Sequence, residues 1–171
     1  MITDYVTGRE VANIGAEEHR QAVEKFLVKD RGYAAEDIHV DVDIALEIGG
    51  ESYHSQLDLV VIAAGRAFMV IKCAAASLES REREVIAAAR LLAPEPAPLA
   101  VVSDGETAVI YDALLRKKIG EGLSEVPARS AAEEFMADYK PEPSAERVWE
   151  RDKIVFRSYD SMNRNVQRNI R

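Results

Sequence analysis

Ser55-Gln-Leu-Asp-Leu-Val-Val-Ile-Ala-Ala-Gly-Arg-Ala-Phe-Met-Val-Ile-Lys-Cys-Ala-Ala-Ala-Ser77 is the stretch whose reading decides the fold. Two apolar runs, Ser55 to Ala63 and Ala67 to Ala74, flank a short Ala64-Gly65-Arg66 connection in which Gly65 supplies the positive φ of a hairpin turn. Neither run keeps the apolar and polar alternation of a half-solvated strand, so both read as central strands covered on two faces. Each nevertheless carries a charge, Asp58 in the first and Lys72 in the second, and Asp is depleted in strand interiors. With the register centred on Gly65, residues 58 and 72 become cross-strand partners on one face, their Cβ atoms about 4.5–5.5 Å apart.

Upstream, Ile38 to Ile48 alternates apolar with polar or small residues and closes on Gly49-Gly50, so three antiparallel strands follow one another. Before them, Ala16 to Asp30 predicts a helix with Ala22, Val23, Phe26 and Leu27 inward. Its Glu17, Glu18, Arg20, Glu24, Lys25 and Lys29 turn outward. Gly32 suits the left-handed stop, with Tyr33 packing back on the last turn. Downstream, Leu78 to Leu92 predicts a second helix, N-capped by Ser77 or Ser80 and ended by Pro94 and Pro96. Leu99 to Val102 and Thr107 to Tyr111 are short strands about an Asp104-Gly105 turn. The order is αβββαββ, a mixed α/β fold, with further helices over Ser130 to Tyr139 and from Ser144 past Tyr159. The Pro141-Glu-Pro143 break divides the chain into a domain over 1–140 and a helical extension over 141–171 that docks on it.

With 171 residues, 47% hydrophobic and 30% charged, the chain can bury one core and is not a disordered segment. No apolar run approaches the roughly 20 residues of a membrane span, and Met1-Ile-Thr-Asp-Tyr5 lacks the features of a signal peptide. The expectation is a cytoplasmic protein with no membrane partner. A net charge of -8 argues against tight, nonspecific binding to a polyanion. From Lys153 onward, however, five basic residues against Asp160 leave +4, and residues 1–152 carry -12. Arg164 and Arg168 are therefore candidate nucleic-acid contacts, beside their plain reading as a solvated helix face. Cys73 reads as a small buried hydrophobe, and His19, His39 and His54 have no zinc-ligand spacing.

The order and spacing of these pieces resemble the amino-terminal nuclease domain of type I restriction enzyme R subunits, within the wider PD-(D/E)XK nuclease superfamily. The likeness covers about residues 8–127. It rests on Glu17, Glu18, Arg20 and Gln21 opening the first helix, Gly32-Tyr33, Gln56-Leu-Asp-Leu-Val-Val61, Val70-Ile-Lys-Cys73 and Val102-Ser-Asp-Gly105 before Tyr111-Asp112. The resemblance implies a restriction-endonuclease-like central mixed sheet flanked by helices, an Asp on the second core strand and Glu-x-Lys on the third. It also implies Mg²⁺ and a DNA substrate. Two carboxylates hold the ion, which polarises the phosphoryl group and acidifies a water that the Lys orients.

This chain departs from that pattern at its centre. Laying Val70-Ile-Lys-Cys-Ala74 on Val-Ile-Glu-Cys-Lys puts Lys72 at the Glu position and Ala74 at the Lys position. The resemblance leaves Asp58, Lys72, Glu17 and Glu18 as catalytic candidates, with Asp58 and Glu18 as metal candidates. Three readings follow: a related domain with impaired or absent metal-dependent hydrolysis; a Mg²⁺-dependent DNA endonuclease with a displaced catalytic residue; or a noncatalytic module that binds nucleic acid, another protein or a second copy of itself. If residues 58 and 72 share a face, the Lys72 ammonium neutralises Asp58 where a metal would sit. A one-residue register shift would end that idea.

Overall fold

The computed structural model describes residues 1–169, with side chains through Asn163. A small antiparallel pair, β1 (Ile2–Thr3) with β2 (Glu10–Val11), precedes helix α1 (Glu17–Arg31). The main sheet follows: β3 (Ile38–Ile48), β4 (Glu51–Ala63), β5 (Arg66–Cys73), then helix α2 (Glu82–Leu91), then β6 (Leu99–Ser103), β7 (Ala108–Asp112) and β8 (Lys117–Glu121). Helices α3 (Arg129–Ala137) and α4 (Glu146–Asn169) close the chain. The six strands lie in sequence order, all neighbours antiparallel except the β5–β6 pair, which α2 joins as a parallel crossover. The expected order αβββαββ is present, with β8 and the β1–β2 pair added.

The central strands are covered on both faces, as their continuous apolar runs require. Val60, Val70, Ala100, Val102 and Tyr111 pack under α2 and under Phe156 of α4. Leu59, Val61, Met69, Ile71 and Val101 pack under Val23 and Leu27 of α1 and Met136 of α3. The three layers explain why neighbouring residues on β4 and β5 are all apolar.

Local chemistry sets the element ends. Gly32 has φ 78° at the end of α1, and the Tyr33 amide reaches back to the Leu27 carbonyl at 3.1 Å. The β4–β5 turn holds two residues, Ala64 and Gly65, at φ 53° and 73°, and Arg66 already belongs to the strand. That is the primed hairpin geometry matching strand twist. A bulge between Val61 and Ile62 absorbs the extra residue. The helix expected over Leu78–Leu92 begins as a 3₁₀ turn, Leu78–Arg81, and neither Ser77 nor Ser80 caps α2 with its side chain. Strand β8 escapes the sequence pattern because it is a solvated edge: Ile119 is its single large apolar residue and is exposed.

One expectation for α1 is corrected. Arg20, Gln21 and Glu24 are buried and Ala22 is exposed. The segment containing β1 and β2 lies over that side of the helix, so a face polar enough for solvent is enclosed by the chain's own amino terminus.

Gly105 has φ 88°, and a Cβ there would stand 2.5 Å from the Ala22 Cβ and 3.3 Å from the His19 carbonyl oxygen. Gly105→Ala therefore combines left-handed strain with overpacking against α1, and it should cost about 2–3 kcal/mol. Urea unfolding measures the loss. An unchanged midpoint would contradict this account of the close approach.

Candidate functional site

Asp58 stands where two strands change face together. Val40 and Leu59 belong to the core under α1 and α3, whereas Val42 and Leu57, two residues away on each strand, belong with the core under α2 and α4. On a regular strand, residues two apart share a face. Both strands therefore slip by one, at Asp41 on β3 and at Asp58 on β4. Asp41 records the slip in its backbone, with φ 53°.

The β4–β5 ladder runs to Leu59 opposite Ile71, in the register that would set 58 against 72. There the carboxylate takes over from the backbone: the Cys73 amide donates to Asp58 Oδ2 at 2.8 Å. The same Oδ2 is 3.8 Å from Lys72 Nζ. The expected juxtaposition of Asp58 and Lys72 is therefore present. Asp58 itself supplies part of the pairing that the slipped strand no longer makes.

The ammonium has a second carboxylate. Glu84 of α2, 3% exposed, places Oε1 3.6 Å from Lys72 Nζ. Its Oε2 is 3.8 Å from Arg81 and accepts a hydrogen bond of 2.6 Å from Asn163 Nδ2 of α4. Phe156 and the buried Asp160, also from α4, line the same concavity, and the Tyr53 hydroxyl donates to Asp160. These groups leave about 10 Å³ of room, at the threshold for one water molecule.

Burial by itself would lower the Lys72 pKa, but Asp58 and Glu84 outweigh it and hold the ammonium above its ordinary range. Burial raises the Glu84 carboxyl, against the pull of Lys72 and Arg81. Burial also drives the Cys73 thiol well above its usual value, in keeping with an inert buried residue. Lys72 is thus a fixed cation between two acids.

The remaining site candidates are not brought to this pocket. Glu17 accepts hydrogen bonds from Arg20 and Gln21, and the exposed Glu18 accepts one from Asn13 Nδ2. Both lie on α1, which covers the opposite face of the sheet, so Asp58 and Glu18 do not form a metal pair. Arg164 and Arg168 lie outside the residues whose side chains are described. Glu84 and Asp160 were missed; the one local signal for Glu84 was its place directly before the apolar Val85 and Ile86 on α2.

Mg²⁺, which the resemblance implies, does not fit the residues present. The position between Asp58 and Glu84 is taken by Nζ, and Ala74, where a Lys would be needed, is a core residue 3% exposed. The oxygens stand 3.6 and 3.8 Å from the shared cation, an ion-pair spacing well beyond the about 2.1 Å shell that Mg²⁺ demands. Among the described residues, no group of three or more His, Cys, Asp or Glu side chains is arranged to hold a metal ion. No described helix is long and apolar enough to cross a membrane.

Residues 15–127 match the family described as type I restriction enzyme R protein N terminus. No curated protein and no solved structure matches the chain. The matched span contains α1, α2 and all six strands of the main sheet, whereas Phe156, Asp160 and Asn163, which cover the Asp58 concavity, come from beyond it. Since the match takes in well over half of the chain and the whole main sheet, this chain belongs to the family of type I restriction enzyme R protein N termini.

Proposed function

We propose that this domain keeps the restriction-endonuclease-like architecture of its family without metal-dependent hydrolysis of DNA, its centre replaced by an internal ion pair. One observation carries the reading: Lys72 Nζ stands between Asp58 and Glu84, where two-carboxylate catalysis would need a divalent ion. Ala74 removes the cation that would orient a water, and α4 closes over the concavity with Phe156, Asp160 and Asn163. A scissile phosphate would have to displace that helix.

The proposed role is that of a noncatalytic module acting in the cytoplasm, with DNA as the partner. The basic segment after Lys153 has the sign that phosphate contact requires, whereas the rest of the chain is strongly acidic. Calorimetric titration of Mg²⁺ or Mn²⁺ into the protein should give no saturable heat at millimolar ion, and plasmid DNA should remain uncut. Retention of DNA should fall steeply with salt and weaken on charge reversal at Arg164 and Arg168. Tight Mn²⁺ binding together with plasmid cleavage, both lost in Asp58→Ala, would overturn the noncatalytic reading and restore the endonuclease with a displaced acid.

A further inference from the structure

Another charged cluster lies on the other face of the sheet and plays no part in the Lys72 pocket. The Arg20 guanidinium of α1 is surrounded by four carboxylates. Glu17 and Asp41 each lie 2.6 Å away, Asp4 Oδ2 lies 3.7 Å from Nη2, and Glu24 Oε1 lies 4.0 Å from Nε. Asp4 is 1% exposed and Glu24 is 0% exposed. One guanidinium cannot satisfy four carboxylates of which only Asp41 is exposed, and the geometry shows which one is left over. Glu24 Oε1 is buried with no hydrogen-bond partner, while its side chain meets that of Asp4. A proton on Glu24 resolves the conflict, because a carboxyl can donate to Asp4 where two carboxylates would repel.

That acid pair holds the amino terminus down. The Val6 amide donates to Glu24 Oε2 at 3.2 Å, the Tyr5 amide to Gln21 Oε1 at 2.6 Å, and Gln21 Nε2 to Asp4 Oδ2 at 3.0 Å. Asp4 also ties its own turn, accepting from the Thr7 amide and hydroxyl. Among the described residues β1 and β2 pair with each other and not with the main sheet; Arg20 on Asp4, Asn13 on Glu18, Lys25 and Lys29 over the Tyr5 ring and Val6 against the core add to the hold.

We infer that residues 1–14 form a pH-operated strap: a proton shared between Glu24 and Asp4 latches them onto α1, and raising the pH weakens the latch. Burial first, and then the neighbouring Asp4, lift the closed-state Glu24 carboxyl to about 8 from an ordinary 4.5. Released from the strap, Glu24 regains water and titrates near its ordinary value, so the open form binds fewer protons between about pH 5 and 8. Opening therefore increases about tenfold per pH unit through that window and levels off above it. The other facing groups are Asp4 of the strap, Glu17 and Arg20 of α1, Asp41 of β3 and Cys73 of β5. Asp4 is held below its ordinary range, and Arg20 and Cys73 above theirs, so none of these three enters the interval. Opening would uncover the Arg20 guanidinium and the buried face of α1.

The test is hydrogen exchange of the full chain from pH 5 to 9, corrected for the intrinsic rate and read at the Tyr5 and Val6 amides. Protection should fall about tenfold per unit up to pH 8 and then flatten, whereas Glu24→Gln should show a flat profile. A flat wild-type profile, or an equal slope in Glu24→Gln, overturns the strap. Because that variant can fail to fold, a carbon-13 NMR titration of the wild-type Glu24 carboxyl gives a second reading. A midpoint near 8 supports the latch, and one near 4.5 overturns it.

Discussion

Asp152→Ala should unfold about 3–5 kcal/mol more easily than the wild type, the loss expected when one member of a buried ion pair is removed. Asp152 is fully buried on α4 and receives Arg90 Nε at 2.9 Å and Arg116 Nη2 at 2.6 Å. Arg90, 8% exposed on α2, also donates to the Ala113 and Leu114 carbonyls and to Ser144 Oγ. One side chain thus ties α4 to α2, to the β7–β8 turn and to the segment that leads into α4. Truncating Asp152 leaves the Arg90 guanidinium buried with only neutral acceptors. Urea denaturation measures the cost, and Arg90→Met in the same background should recover part of it by removing the stranded charge. A loss below about 1 kcal/mol would mean that α4 is held by Phe156 and its apolar neighbours alone.

Lys72→Glu should make the stability of the domain depend on a divalent ion. The substitution removes the cation that lies 3.8 Å from Asp58 and 3.6 Å from Glu84 and adds a third acid beside them. Without metal the crowded carboxylates should cost about 3–5 kcal/mol, relieved as pH falls and they take up protons. Mn²⁺ at about 100 times its dissociation constant would return about 2.7 kcal/mol through binding to the folded state. Melting curves in chelator and in millimolar Mn²⁺ should separate for Lys72→Glu and coincide for the wild type. Lys72→Met, which lacks the added acid, should lose stability without gaining the metal response. Equal melting of Lys72→Glu in both solutions would show that these acids cannot converge on an ion.

The two faces of the central sheet were legible because burial leaves a plain mark. Continuous apolar runs at residues 55–63 and 67–74 meant cover on both sides, and the cores under α1 with α3 and α2 with α4 supply it. The Gly32 stop and the β6–β7 hairpin were legible for a similar local reason: positive φ and tight turns select few residue types. Strand β8 and the β1–β2 pair were not, since an exposed edge has no buried face to impose a pattern. Helix α1 misled in the opposite direction. Arg20 and Glu24 look solvated by type, but the segment that precedes the helix folds back over them and supplies partners.

For the site, the sequence by itself picked out Asp58 and Lys72 as charges set within two apolar strands. Against the pattern that the resemblance implies, Asp58 stands at the Asp position, Lys72 at the Glu position and Ala74 at the Lys position. A register centred on Gly65 would set 58 against 72; the two-residue turn alone would set 72 against 57, and the bulge between Val61 and Ile62 restores the expected offset. Only the tertiary structure decided what surrounds them. Glu84 arrives on a crossover helix and Asn163 and Asp160 on the terminal helix, from 12 to 105 residues away along the chain. The slip of β3 and β4 at Asp41 and Asp58 sends the carboxylate toward the Cys73 amide and the ammonium together. Such meetings depend on how separate elements pack. The local pattern names the groups, and long-range packing sets the distances that make them an ion pair.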